Sequence, residues 1–304
     1  MSYIPGTDPD IDIDCPNSVE TVIIPRTNDI GNFEVHRALP FRNKRMVGPF
    51  IFWDQMGPGE FLTGQGVDVR PHPHIGLSTV TYLFDGSMDH KDSLGNDMRI
   101  VPGDVNLMTA GSGIVHSERT GQDVRENPSR LYGIQSWIAQ PEKYENGSPA
   151  FDHTAEKDLP LFDETGVRGR LILGDFQGVK SPVKTQWETL YVDLHLEEGK
   201  EVQIPNTIEE RALYVLDGSI EIAGVTYQPQ QMMVLNPGDT VTLKALSHVH
   251  VMLLGGATMD SKRYIFWNFV SSSKERLEQA KEDWKNGKFS KVPNDDEFIP
   301  LPEQ

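Results

Sequence analysis

His72 and His74 stand one residue apart in RPHPHIGLSTVTYLFDG, Arg70 to Gly86. On a β-strand, residues i and i+2 project from the same face about 6.5–7 Å apart along the chain. Two imidazoles so placed can converge on one metal ion. Pro71 and Pro73 restrict the backbone here to extended geometry, so the ligand pair is pre-set. About 40 residues on, GSGIVHSERT holds a second i, i+2 pair, His116 and Glu118, approached through Gly111 and Gly113. A lone H-x-H is commonly surface or packing chemistry; the second pair turns it into a site. Three imidazoles and one carboxylate can hold a divalent first-row metal and leave positions open for substrate or oxygen.

Other polar residues form weaker constellations. His36, His90, His153, His195 and His250 have no comparable paired neighbourhood that closes into a site. His248-Val249-His250 is also H-x-H, but it reads as a structural strand rather than a second metal site. Asp54 could support a ligand imidazole or cap a strand end, and Met108 and Gln135 could line the site. Ser112, Ser117 and Ser136 have no base at readable spacing, which argues against serine nucleophile chemistry. There is no phosphate-cradling G-x-x-x-x-G-K-[ST] loop and no strand-linked G-x-G-x-x-G.

These residues need strands to carry them. The chain has 304 residues, room for one large domain or two of about 150. Strand-like runs such as TVIIP, EVHRAL, GPFIFWDQM, STVTYLFDG and MRIVPGDVNLMTAG alternate with Gly/Pro/Asn/Asp turns, which points to an all-β sandwich, barrel or jelly roll. The second half carries a faint copy of the first. LFDGS (Leu83 to Ser87) resembles VLDGS (Val215 to Ser219) at an offset of 132, and IVPGD (Ile100 to Asp104) resembles LNPGD (Leu235 to Asp239) at 135. Two strand–turn units in the same order argue for a duplicated β-domain. Those offsets carry His72 and His74 onto Ile204 and Asn206, and His116 and Glu118 onto Val251 and Leu253, so the copy lacks the ligand set, though an offset of 134 would bring His250 onto His116.

Residues 141–185, rich in Pro, Asp, Glu and Gly, read as a long surface crossing between an N-terminal domain over 1–140 and a C-terminal one over 186–304. SSKERLEQAKEDWKNG reads as a helix, with Ser272 and Glu275 at capping-box spacing, Leu277, Ala280 and Trp284 on one face, and Gly287 as its stop. The Trp284 stripe is expected to pack on a sheet.

The formal net charge of −17 leaves no basic footprint for phosphates, which excludes a direct nucleic-acid binder. RNKR (Arg42 to Arg45) is too short to change that. Cys15 is the single cysteine, in the acidic stretch TDPDIDIDCPN, which reads as a surface arm; the fold does not rely on disulfides. No signal pattern or membrane-length apolar run is visible, so a cytoplasmic protein without membrane attachment is expected.

RPHPHIGLSTVTYLFDG, SLGN, PGDVNLMTAGSGIVHSER and the tail WNFVSSSKERLEQAKEDWKNGKF resemble the pirin family of the cupin superfamily, from about residue 30 to the end. The resemblance implies an all-β chain of two tandem, jelly-roll-like cupin β-barrels face to face with a short C-terminal helix. It implies a metal-binding N-terminal barrel and a degenerate C-terminal one. It places the family's ligands on His72, His74, His116 and Glu118, holding one divalent metal, Fe(2+) by preference, with Zn, Ni, Cu or Mn as alternatives. The general cupin pattern starts at Gly66 and expects a Glu near Ser78; this chain departs there, and Glu118 supplies the carboxylate. Bacterial pirins of this type are associated with quercetin 2,3-dioxygenase activity. That implies a small phenolic or enolic substrate with O2, and Glu118 as catalytic proton acceptor. Phe50, Phe52 and Trp53 would then shape an apolar pocket. The alternative is a metal- or redox-responsive regulator with a protein partner, which the acidic charge would suit if that partner has a basic face.

Overall fold

The computed structural model describes residues 18–29 and 33–303; Cys15 and its acidic stretch lie outside them. Strands dominate, and hydrogen bonding organises them into two seven-stranded and two four-stranded sheets, plus two short hairpins. Each half of the molecule pairs one large sheet with one small one. The expected cupin barrels are therefore open sandwiches rather than closed cylinders.

The two halves share one topology. In the N-terminal sandwich, the large sheet runs Ala150–Thr154, Val105–Thr109, Leu77–Asp85, Ser129–Ala139, Phe50–Phe61, Glu34–Leu39, Arg26–Asp29. In the C-terminal one it runs Val19–Ile23, Met232–Leu235, Glu210–Asp217, Val249–Gly256, Thr189–Leu196, Val167–Leu173, Leu161–Glu164. The small sheets match likewise, Asp68–His74 with Ile114–Arg119 in one and Glu201–Ile204 with Val241–Ala245 in the other. The edge strand Val19–Ile23 precedes the N-terminal sandwich in sequence yet completes the C-terminal sheet by pairing with Met232–Leu235.

The repeat turns keep their geometry too. Gly86 and Gly218 have φ of +82° and +75°, and a Cβ on either would lie 2.0 or 2.1 Å from a carbonyl oxygen, of Arg130 or His248. Only glycine fits such a turn.

The strand order corrects one alignment. Ile204 lies opposite Val241, as His72 lies opposite His116. His116 therefore corresponds to Val241, not Val251, because the second copy has a shorter path between these strands. Ile204, Val241 and Leu243 are buried in the apolar interior of the C-terminal sandwich. Hydrocarbon fills the position where the first copy holds imidazoles.

The segment 141–185 is not a bare surface crossing. Ala150–Thr154 closes an edge of the N-terminal sheet, while Leu161–Glu164 and Val167–Leu173 belong to the C-terminal one. Its Pro/Gly/acid composition reflects the tight turns between these short strands.

The two large sheets pack face to face over one apolar core, to which Phe50, Trp53, Val80, Ile134 and Ile138 contribute from one side and Tyr191, Ala212, Met232, Met252 and Leu254 from the other. Two hydrogen bonds cross it. Tyr82 donates to Asp193 Oδ2 at 3.0 Å and Tyr214 donates to Gln55 Oε1 at 2.8 Å. The tyrosines are 132 residues apart, the repeat offset. Their acceptors are equivalent as well: Gln55 and Tyr82 flank Ile134, as Asp193 and Tyr214 flank Met252. The interface is thus pseudo-symmetric.

The α-helix Lys274–Lys285 starts one residue later than the capping pattern suggests. Ser273 is the N-cap, accepting from Arg276 N at 3.1 Å, whereas Ser272 bonds Glu145. Its end is a Schellman motif on Gly287, φ +64°, with Gly287 N to Trp284 O and Lys288 N to Asp283 O. Leu277 and Ala280 pack with Ile75, Trp267, Phe269, Trp284 and Phe289, and Ile299 N donates to Pro71 O at 2.8 Å. The tail therefore folds back onto the N-terminal small sheet. Among the described residues, no helix is long and apolar enough to cross a membrane.

Candidate metal centre

The strands Asp68–His74 and Ile114–Arg119 are antiparallel neighbours, with His116 opposite His72 and Ile114 opposite His74. Alternation places His72 and His74 on one face, and the register brings His116 to the same place. Entry into the second strand depends on Gly111. Its φ is +52°, and a Cβ there would sit 2.2 Å from Gly147 O.

The three histidines are buried, and one ring nitrogen from each lies within 4.8 Å of the other two. His74 Nε2 and His116 Nε2 face each other at 3.0 Å, so at most one carries a proton between them. Burial drives all three toward the neutral form. The pKa of His72 is lowered to about 3, against the opposing pull of its bond to the Arg70 carbonyl, and His74 and His116 are lowered well below 6.5. Neutral imidazoles keep the lone pair a metal needs.

Neighbouring groups orient two of the rings. His72 Nδ1 lies 2.9 Å from Arg70 O and can only donate there, which leaves Nε2 as its lone-pair nitrogen. His116 Nδ1 lies 3.4 Å from His90 Nδ1, and His90 Nε2 lies 3.2 Å from Asp92 Oδ2. If Nε2–H of His90 donates to Asp92, its Nδ1 can accept from His116, freeing His116 Nε2 for a metal. His90 formed no site in the sequence, yet it lies across from Glu118 on Met88–Asp92, with Asp92 across from His116. The H-x-D spacing of His90 and Asp92 was the signal, but on a separate strand it has meaning only once strand order is known.

Glu118 is buried but stands outside the tight histidine set. Its Oε1 accepts from Gln135 Nε2 at 2.9 Å, and Gln135 Oε1 accepts from Thr81 at 2.6 Å, which fixes the amide orientation. Burial pushes the Glu118 carboxyl above its usual range, with His90 and Gln135 pulling the other way. Gln135 therefore borders the site. Trp137 does too: its ring meets His74 edge-on at 5.2 Å and stacks on Phe52 at 3.9 Å.

None of the other candidates joins the histidine cluster, although Asp54 lies directly across from Gln135. Phe50 and Trp53 belong to the core between the sandwiches, Met108 packs with Ala110 and Ile114, and Asp54 is held bidentately by Arg37 at 2.8 and 2.6 Å. Ser78 donates to Thr109 at 3.1 Å on the strand face shared by Val80 and Tyr82, which looks toward the other sandwich. A carboxylate at that position would point away from the histidines.

The donor set suits a borderline divalent ion: three neutral, buried imidazoles with a buried carboxylate nearby. Family comparison agrees with the fold. The pirin family model matches residues 32–138, and that of the pirin C-terminal cupin domain matches residues 191–290. The chain belongs to the pirin family. This pirin is 49% identical to a pirin-like protein of Caulobacter vibrioides over 290 residues, covering 94% of this chain and all of that one. Its structure resembles the crystal structure of a quercetin 2,3-dioxygenase from Acinetobacter baumannii, with a TM-score of 0.86, 34% identity, and 93% and 95% of the two chains covered. A bacterial pirin of Escherichia coli, crystallised in complex with nickel(II), shares the fold at a TM-score of 0.61 and 20% identity, over 77% of this pirin and 96% of that chain.

Proposed function

We propose that this pirin is a metal-dependent dioxygenase that opens the heterocycle of a flavonol such as quercetin with O2, using iron(II). The observation that carries the reading is the convergence of three neutral, buried imidazoles beside a buried carboxylate. His72, His74 and His116 would hold the ion, with Glu118 as the fourth protein ligand. When bound, the metal supplies Lewis acidity toward a phenolic or enolic oxygen and redox chemistry toward O2. The name of the Acinetobacter protein supports the same substrate class.

The chain's own residues supply the proton chemistry. Off the metal, Glu118 would act as general base, its carboxyl held above its usual range by burial. Gln135 holds Oε1, leaving Oε2 to ligate the ion or, once released from it, to take the 3-hydroxyl proton of the flavonol. The Phe52–Trp137 stack gives the site an apolar, aromatic wall suited to a planar phenol.

The test is O2 uptake and quercetin loss by anaerobically iron-loaded protein. Both are expected to proceed together and to vanish in His74→Ala. Loaded protein that consumes neither overturns the proposal.

A further inference from the structure

A second cluster of ligand-type side chains lies outside this centre, at the seam between the sandwiches. Asp193 and His195 are two residues apart on Thr189–Leu196, and so share a face. His250, on Val249–Gly256, lies directly across from His195. That face looks toward the N-terminal sandwich, since the intervening Leu194 points into the C-terminal interior. The pairing supersedes the apparent H-x-H of the sequence: His248 is exposed in the turn before the strand, and the true partner of His250 is 55 residues upstream.

We propose that Asp193, His195 and His250 form a second divalent-cation site. Their ligand atoms all lie within 4.8 Å of one another. His250 Nε2 is 2.7 Å and His195 Nε2 3.3 Å from the same oxygen, Asp193 Oδ1, and the two rings stack at 4.0 Å. A tetrahedral ion with ligands at ~2.0–2.1 Å separates its donors by roughly 3.3 Å. To take the ion, the cluster would open between His250 and Asp193, and the two stacked rings would turn until their Nε2 lone pairs converge. The other carboxylate oxygen is already committed, accepting from Tyr82 across the interface at 3.0 Å. Such a bond orients a ligating carboxylate.

The environment fits an exchangeable site. Asp193 is buried, while the His195 side chain is 37% exposed. The cluster opens into a cavity of about 630 Å³ that Phe84, Asp163, Arg170, Glu197 and His248 help to line. Three protein donors leave at least one coordination position facing that space, for water or a small anionic ligand. Two imidazoles and one carboxylate favour Zn2+, Co2+ or Ni2+ over Mg2+ and Ca2+, which prefer oxygen alone. Because Tyr82 belongs to the other sandwich, occupancy here would brace the interface.

The experiment is a cobalt(II) and zinc(II) titration of the metal-stripped full chain, with stoichiometry from calorimetry and ligand-field spectra. Wild type is expected to bind two equivalents and His250→Gln one, with circular dichroism confirming the fold. A His72→Ala, His74→Ala, His116→Ala triple variant is expected to keep one equivalent, lost when His195→Gln and His250→Gln are added. Tyr82→Phe, which removes no ligand, is expected to weaken the remaining equivalent about 10-fold or more. Should the triple variant misfold, the difference between wild type and His250→Gln decides the matter. One equivalent in wild type that His250→Gln does not reduce overturns the proposal. None of these readouts depends on dioxygenase activity.

Discussion

His116 Nδ1 and His90 Nδ1 face each other at 3.4 Å, and Asp92 closes the chain behind His90 at 3.2 Å. With His90 donating to Asp92, a residue outside the histidine cluster decides which nitrogen of His116 is free for a metal. Replacing it tests this chain of influence. His90→Phe is expected to lower metal affinity roughly 10–100-fold, measured by competition with a chelator. Phenylalanine keeps the stacking on Phe151, so the fold is expected to persist. Unchanged affinity would show that His116 needs no such orientation.

Glu118→Gln is expected to act in opposite directions on the two forms of the protein. In the metal-free fold, the carboxyl pKa is raised by burial, so ionisation at neutral pH opposes folding. A raised folded-state pKa means that the stability contribution, full below the unfolded pKa, is lost as pH rises through the folded value. The neutral amide escapes this and can still accept from Gln135. The metal-free Tm is expected to rise at pH 7.5, while metal affinity falls. A fall in both would sink the assignment of Glu118 as a strained, buried acid.

The histidines set the acid side of stability. The folded-state pKa of His72 is lowered to about 3, and those of His74 and His116 are lowered well below 6.5. Below pH ~6.5 the unfolded chain takes up protons that the folded chain refuses, so stability present above that pH is lost as pH falls toward the folded values. Each such histidine contributes a slope of up to about 1.4 kcal/mol per pH unit. Denaturant midpoints of the metal-free protein are therefore expected to drop between pH 7.5 and pH 4.5, and to drop less in His72→Phe. A flat profile would contradict buried neutral imidazoles.

Tyr214→Phe isolates one half of the pseudo-symmetric interface. It strips Gln55 Oε1 of its 2.8 Å donor in a buried setting, while Gln55 Nε2 keeps its bond to Gly57 O. The expected loss is about 1–3 kcal/mol, the usual cost of a buried acceptor left unpaired, read by thermal or urea unfolding. Loss of metal binding at His72, His74 and His116 is not expected. If stability is unchanged, the cross-interface bond carries no energetic weight.

Much of this molecule was legible without coordinates. Gly/Pro punctuation and alternating strands announced an all-β fold, because turn chemistry and period-2 burial are local properties. The LFDGS/VLDGS echo exposed the duplication, because both copies need glycine at the same positive-φ turn. The H-x-H and H-x-E spacings pointed to His72, His74 and His116, which the fold brings together, and to Glu118, which it leaves beside them, because i, i+2 is fixed by the strand itself. What lay beyond reach depended on which strands become neighbours. His90 and His195 lacked partners in sequence because theirs, His116 and His250, sit on other strands, and only sheet register puts them side by side. Val19–Ile23 could not be assigned to the C-terminal sheet, since its partner Met233 lies more than 200 residues away. Spacing along one strand is written in the order of residues; proximity between strands is set by the packing of the whole.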